Sequence, residues 1–117
     1  MRSFKWTIYR AELDPVIGSE IGKSRPVLVI SENYVNQLLN AVNIIPITSR
    51  KNGRKIYRNE ALIPHSRFGL ENESILLCHQ IRTIDKARLS KVYGDVFDPH
   101  VRKQVMDALC FQFGILR

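Results

Sequence analysis

The sequence predicts a mainly β fold: a small antiparallel barrel or rolled sheet closed by a C-terminal α-helix. Short apolar or alternating runs recur at 4–12, 26–30, 41–47, 56–63, 74–78 and 92–97, separated by Gly, Pro, Asn, Asp and Ser. One long helical pattern, 99–113, follows them. At 117 residues the chain is long enough for one core and short for two, so residues 1–117 are read as a single domain.

The bulk composition narrows the class. With 44% hydrophobic and 25% charged residues the chain is that of a soluble globular protein. Eighteen basic against eleven acidic residues leave a net charge of +7, which favours nucleic acid, an anionic surface or an acidic protein as partner. No run approaches the roughly 18 apolar residues of a membrane span, and the N-terminus lacks the apolar core of a signal peptide; a cytoplasmic protein without membrane contact is expected. Cys78 and Cys110 are too far apart in sequence for a C-x-x-C pair and are read as reduced thiols. His65, His79 and His100 lack metal-ligand spacing, so neither metal nor cofactor is expected.

Taken in order, the stretch 4–12 alternates aromatic or apolar with polar residues, the period of a half-buried strand. Leu13-Asp14-Pro15 ends it, and a glycine-containing loop carries Glu20 to Ser24. Next comes Arg25-Pro26-Val27-Leu28-Val29-Ile30-Ser31, a buried strand whose proline belongs at its start or on an edge. That puts Arg25 at the rim of a sheet, where a guanidinium either serves an anionic ligand or simply ends the strand in water. Residues 31–40 carry apolar side chains at 34, 35, 38 and 39, the spacing of a short helix that Ser31 can cap. The β-branched run 41–47 returns to strand, with Pro46 suggesting an edge or a bulge, and ends in Thr48-Ser49-Arg50.

Arg50, Lys51, Arg54, Lys55 and Arg58 then surround Asn52-Gly53, a strong hairpin-turn signal. This basic tip reads equally as a solvated loop or as a phosphate-backbone contact. The returning strand is expected at 56–63 and a central strand at 74–78. Beyond it, His79-Gln80-Ile81-Arg82-Thr83-Ile84-Asp85 alternates polar residues with isoleucines, and a bulge would change its register. Asp85 can cap a helical turn over 86–89. Asp98-Pro99 supplies an N-cap and a first-turn proline for a helix that Gly114 stops. Val101, Val105, Ala108 and Leu109 form its core stripe; Met106, Cys110 and Phe113 widen it, either as more core or as a dimer surface.

Three segments resemble the MazF/PemK family of toxin endoribonucleases: Leu13-Asp14-Pro15 through Gly18-Ser19-Glu20 to the Arg25 strand, Pro46-Ile47-Thr48-Ser49-Arg50, and Gln80-Ile81-Arg82-Thr83-Ile84-Asp85. They occur in family order over nearly the whole chain. The resemblance implies an SH3-like barrel, a homodimer, and metal-independent, sequence-specific cleavage of single-stranded RNA, often mRNA, by 2′-hydroxyl attack. It also implies inhibition by a cognate antitoxin with an acidic, extended segment. On this reading Arg25 and Thr48 are catalytic, Arg25 as an electrostatic clamp on phosphate and Thr48 as a hydroxyl donor. Glu20, Ser49, Arg50, Lys51, Arg54, Lys55, Gln80, Arg82 and Asp85 would contact or support RNA. One position departs from the pattern: where the family commonly has an acidic residue, this chain has His79, an imidazole suited to move a proton, read a base or pack on the barrel. A gyrase-poison-like toxin that acts by protein binding, and a passive RNA-binding module, are the alternatives on the same fold.

Overall fold

The computed structural model describes residues 4–117; residues 1–3 of the expected domain lie outside them. In chain order the elements are β1 (Thr7–Glu12), β2 (Ser24–Val29), α1 (Asn33–Leu38), β3 (Ala41–Ser49), β4 (Glu60–Ile63), β5 (Ser74–Leu77), β6 (Arg82–Asp85), β7 (Leu89–Asp95) and α2 (Pro99–Phe113). The strands make one antiparallel sheet in the order β4-β5-β3-β2-β1-β7, with β6 also pairing β3. This is the expected barrel-like sheet and C-terminal helix.

The sheet buries both faces, which explains the unbroken apolar run in β2. Leu28 and Ile30 enter a core with Ile45, Ile47 and the α2 residues Val101, Val105, Ala108 and Leu109. Val27 and Val29 point the other way, toward Tyr9, Val42, Ile44, Ile84 and Leu89. Each such aliphatic side chain contributes about 1.5–3 kcal/mol through removal from water.

Among the described residues no ladder joins β4 to β7. Close backbone packing closes the roll instead. A Cβ added to Gly69 would lie 2.1 Å from the Tyr93 carbonyl oxygen, and one added to Gly94 would lie 2.5 Å from that of Phe68. Gly69 also has φ +84°, in the region that favours glycine. Two glycines therefore let the loop after β4 lie directly on β7.

Pro46 marks a bulge, but in its neighbour. The β3–β5 register pairs Thr48 with Ile75, whereas the β3–β6 register pairs Ile44 with Arg82, a slip of three residues. The slip is taken up by a 3₁₀ turn, Cys78–Gln80, opposite Pro46, where β3 has no N–H to donate. Pro26 acts similarly on the other side. Extending the β2–β3 register past Val27↔Pro46 sets Pro26 opposite Ile47, whose carbonyl accepts from Arg25 Nη1 at 3.4 Å.

Three local expectations change. Trp6 has φ 71°, so the first strand starts at Thr7 rather than at residue 4. Asn52 and Gly53 do form a turn, with φ 54° and 58°, but β3 and β4 do not pair; β5 lies between them, and β4 starts only at Glu60. Helix α1 is uncapped by Ser31, whose hydroxyl donates to Asn36 Oδ1 at 2.5 Å and accepts from Asn43 N–H at 3.1 Å. Its buried residue is Asn36, while Tyr34, Val35, Leu38 and Leu39 are exposed.

The C-terminal helix follows its local signals. Asp98 Oδ1 accepts from the His100 N–H at 2.8 Å, Pro99 opens the helix, and Gly114 ends it in the left-handed region. The Asp85 cap on the turn before β7 forms as well, to the Ala87 N–H at 2.8 Å. Met106 packs on the core, Cys110 is half-buried and Phe113 is exposed. Burial pushes the Cys78 thiol up to about 12, with the Glu60 charge adding to it, so this sulfur is a packed, unreactive group.

Candidate active site

Arg25 starts β2, and its side chain folds back to brace two chain segments. Its Nε donates to the Gly22 carbonyl at 2.8 Å and its Nη1 to that of Ile47 at 3.4 Å. These bonds leave guanidinium donors free for a ligand. Burial lowers the Arg25 pKa from its ordinary value, against an opposing contribution from Asp14. The group stays cationic at neutral pH.

Thr48 and Ser49, at the end of β3, open with Arg25 onto a cavity of about 560 Å³. Arg10, Lys23, Lys51 and Lys91 also line it, and Glu71 is the single carboxylate on its wall. Positive charge is thus concentrated around one guanidinium and two hydroxyls, in a concave, partly desolvated setting where an anion gains most.

The remaining candidate residues divide by what they touch. Glu20 Oε1 accepts from the Ile17 N–H at 2.8 Å, within the loop. Gln80 bridges that loop with both ends of its amide, accepting from the Ile21 N–H at 3.2 Å and donating to the Ser19 carbonyl at 3.1 Å. Arg82 donates to the Leu13 carbonyl at 3.2 Å, and Asp85 caps the turn described above. These four side chains hold the 13–22 loop and the sheet edge rather than projecting into the cavity. Arg50 is similarly committed: it wraps the 52–53 turn by donating to the Arg54 and Gly53 carbonyls, and pairs with Glu73 at 3.1 Å.

His79 does not share the Arg25–Thr48 cavity. The 3₁₀ turn carries it to a second one, of about 680 Å³, lined also by Lys55, Tyr57, Arg58, Glu60 and Phe111. Here the basic run meets aromatic rings: Lys55 Nζ lies 5.5 Å from the Tyr57 ring centre, and the Arg58 guanidinium 4.3 Å from that of Phe111. Arg54 holds Glu60 with bonds of 3.0 and 2.9 Å.

Burial alone would raise the pKa of Glu60. The Arg54 and Tyr57 N–H hydrogen bonds, with the Arg54 and His79 charges, outweigh it and hold the carboxyl below its ordinary value. A carboxyl depressed by folding stabilises above its unfolded pKa, and that stability is lost as pH falls through the folded value. Thermal melts should therefore show a Tm that drops as pH falls below about 4.3, and drops less steeply in Glu60→Gln than in the wild type. Parallel curves would remove Glu60 from the acid transition.

Sequence reading missed Arg10, Lys23, Lys91 and Tyr93 as cavity residues, because they come from β1, β7 and the loop before β2.

The chain is similar to known proteins over nearly its whole length. The chain is 41% identical over 109 residues to the Endoribonuclease EndoA of Bacillus subtilis, covering 93% of this chain and 92% of that one. It is 36% identical over 108 residues to the Endoribonuclease MazF of Staphylococcus saprophyticus, covering 92% and 88% respectively. The crystal structure of MazF from Deinococcus radiodurans has the same fold, with a TM-score of 0.82, 23% identity, and 98% and 99% of the two chains covered. The model of the PemK-like, MazF-like toxins matches residues 5–113, nearly the whole chain, and the chain belongs to this family of toxins of type II toxin–antitoxin systems.

Proposed function

We propose that the protein is an endoribonuclease toxin that cuts single-stranded RNA, mRNA in the cytoplasm, at short sequence motifs without a metal ion. The observation that carries this reading is the joint opening of Arg25 and Thr48 onto a cavity rimmed by cations. Membership of the toxin family and the names of the two relatives support it.

In the proposed reaction the ribose 2′-oxygen forms a bond to phosphorus and the bond from phosphorus to the 5′-oxygen breaks. The proton leaves the 2′-oxygen and one is delivered to the 5′-oxygen, giving a 2′,3′-cyclic phosphate and a 5′-hydroxyl. Arg25 stabilises charge on the non-bridging oxygens through its permanently charged, multi-donor guanidinium. Thr48 donates to the same phosphate, while Ser49 and Lys51 hold the strand beside it. Glu20, Gln80 and Arg82 act through the loop that supports Arg25, while Asp85 supports the RNA surface only by capping the turn before β7. Arg50 and Arg54 order the basic segment, and Lys55 and His79 contact RNA at the second cavity, where Tyr57 and Phe111 offer stacking surfaces.

Family membership further supports neutralisation by a cognate antitoxin, whose acidic extended segment would occupy the same basic surface. Exposed apolar residues at the end of α2, Phe113 with Ile115 and Leu116 beyond, suit a homodimer contact. Among the described residues no helix is long and apolar enough to cross a membrane.

The test is incubation of the wild-type protein with a mixed-sequence single-stranded RNA in EDTA, followed by chemical analysis of the product ends. Cuts at a recurring short motif ending in cyclic phosphate are expected. Cleavage only on addition of Mg²⁺ would overturn the metal-free chemistry, and no cleavage at all would favour a toxin acting by binding.

A further inference from the structure

We infer that Arg10, Tyr93 and Lys91 form a second phosphate-binding subsite, which holds the RNA phosphate next to the one being cut. The inference rests on the endoribonuclease reading above and specifies how the substrate lies in the cavity.

Among the described residues, five arginines form ion pairs with carboxylates: Arg50, Arg54, Arg67, Arg102 and Arg117. None of the five lines the Arg25 cavity. Arg10, Arg25, Arg58, Arg82 and Arg88 form no ion pair with a carboxylate among the described residues, and Arg10 and Arg25 are the two of these that line the Arg25 cavity. Arg10 is half-buried, and an anion bound beside it would offset the cost of holding its charge there.

The geometry around Arg10 is suited to that anion. Its Nη1 donates to the Tyr93 hydroxyl at 2.7 Å and its Nη2 to the Ser24 carbonyl at 3.4 Å, which fixes the plane of the fork while other N–H groups remain unused. Because the Tyr93 oxygen accepts from Arg10, its own proton points elsewhere and can be donated. Lys91 Nζ stands 5.2 Å from the Tyr93 ring centre, bringing an ammonium to the same place. A guanidinium, a phenol hydroxyl and an ammonium thus line one cavity, and each has a donor to offer a phosphate.

Position makes the ligand a neighbouring phosphate of the same strand. In the β1–β2 register Arg10 pairs with Pro26, the residue after Arg25, so the two guanidinium-bearing residues come from adjacent strands at one end of the sheet. Both line one continuous cavity.

Contacts to a phosphate that is not reacting bind ground state and transition state alike, so they act on KM rather than on kcat. With an RNA carrying one cleavage motif, Arg10→Gln is expected to raise KM about tenfold at unchanged kcat, and Tyr93→Phe, which keeps the ring and the cation, several-fold. Substrates with a single neutral methylphosphonate at each linkage in turn locate the subsite. One linkage adjacent to the cut should cost wild type as much as Arg10→Gln does, and should cost Arg10→Gln nothing further. If every linkage costs both proteins equally, or if Arg10→Gln and Tyr93→Phe cut as wild type does, the subsite is wrong while the nuclease reading stands. If wild-type protein neither cuts nor binds the RNA, both fall together. Melting curves of the two variants exclude loss of fold as the cause of a raised KM.

Discussion

Arg25→Lys is expected to lose cleavage almost as completely as Arg25→Ala, by about 100- to 1,000-fold in kcat, with little change in Tm. The reason is the division of labour within one guanidinium. Two of its nitrogens are committed to the Gly22 and Ile47 carbonyls, which fixes the plane of the fork and aims the rest at the cavity. An ammonium keeps the charge but has no plane to fix, and it is a compact, strongly hydrated point charge. If charge alone mattered, lysine would restore most of the rate. Single-turnover cleavage of one defined RNA by the three proteins, with melts run alongside, decides it; a lysine variant within a few-fold of wild type would reduce Arg25 to a simple counter-charge.

Ile45→Ala should unfold the protein more readily than any surface substitution, by about 2–5 kcal/mol. Ile45 is fully buried, pairs with Leu28 in the middle of the β2–β3 ladder and belongs to the core that α2 covers. The cavity left by its truncation has rigid walls on both strands and little chance to collapse. Leu39→Ala removes a similar amount of apolar side chain from a position that is 54% exposed, and should stay within about 0.5 kcal/mol of wild type. Urea denaturation of the pair gives the comparison directly, and near-equal midpoints would mean that the core has been misidentified.

The contrast between Ile45 and Leu39 also shows what was legible in the sequence. Apolar spacing at 34, 35, 38 and 39 says that a helix has an apolar side, but not that anything covers it. By comparison, the run 27–30 requires burial on both sides because consecutive strand residues face opposite ways. The ends of α2 were readable since Asp98, Pro99 and Gly114 act within one turn of chain. The partner of β3 after the 52–53 turn was not, because turn chemistry reverses the chain without choosing the strand it joins; β5, arriving from later in sequence, took that place. Arg25 and Thr48 were found through a motif, and the structure brings them to one cavity. The same motif singled out Gln80 and Arg82 without indicating that their polar atoms hold the backbone of another loop. Arg10 and Tyr93 lie 83 residues apart and belong to no shared motif, so only the β1–β7 pairing unites them.

The three-residue slip opposite Pro46 has a consequence for how this scaffold can vary. Elsewhere along β3, changing a side chain on one strand alters its fit to a partner directly across, and moving by one residue exchanges inside for outside. Residues 78–80 are released from both constraints, since the two ladders on either side keep their own registers with β3. Cys78 anchors this stretch in the core and Gln80 ties it to the neighbouring loop, leaving the exposed position 79 between them free to change chemistry at little cost to folding. The fold therefore contains an interchangeable position, framed by fixed ones, at which the imidazole of His79 can be exchanged for another side chain without redesign of the sheet.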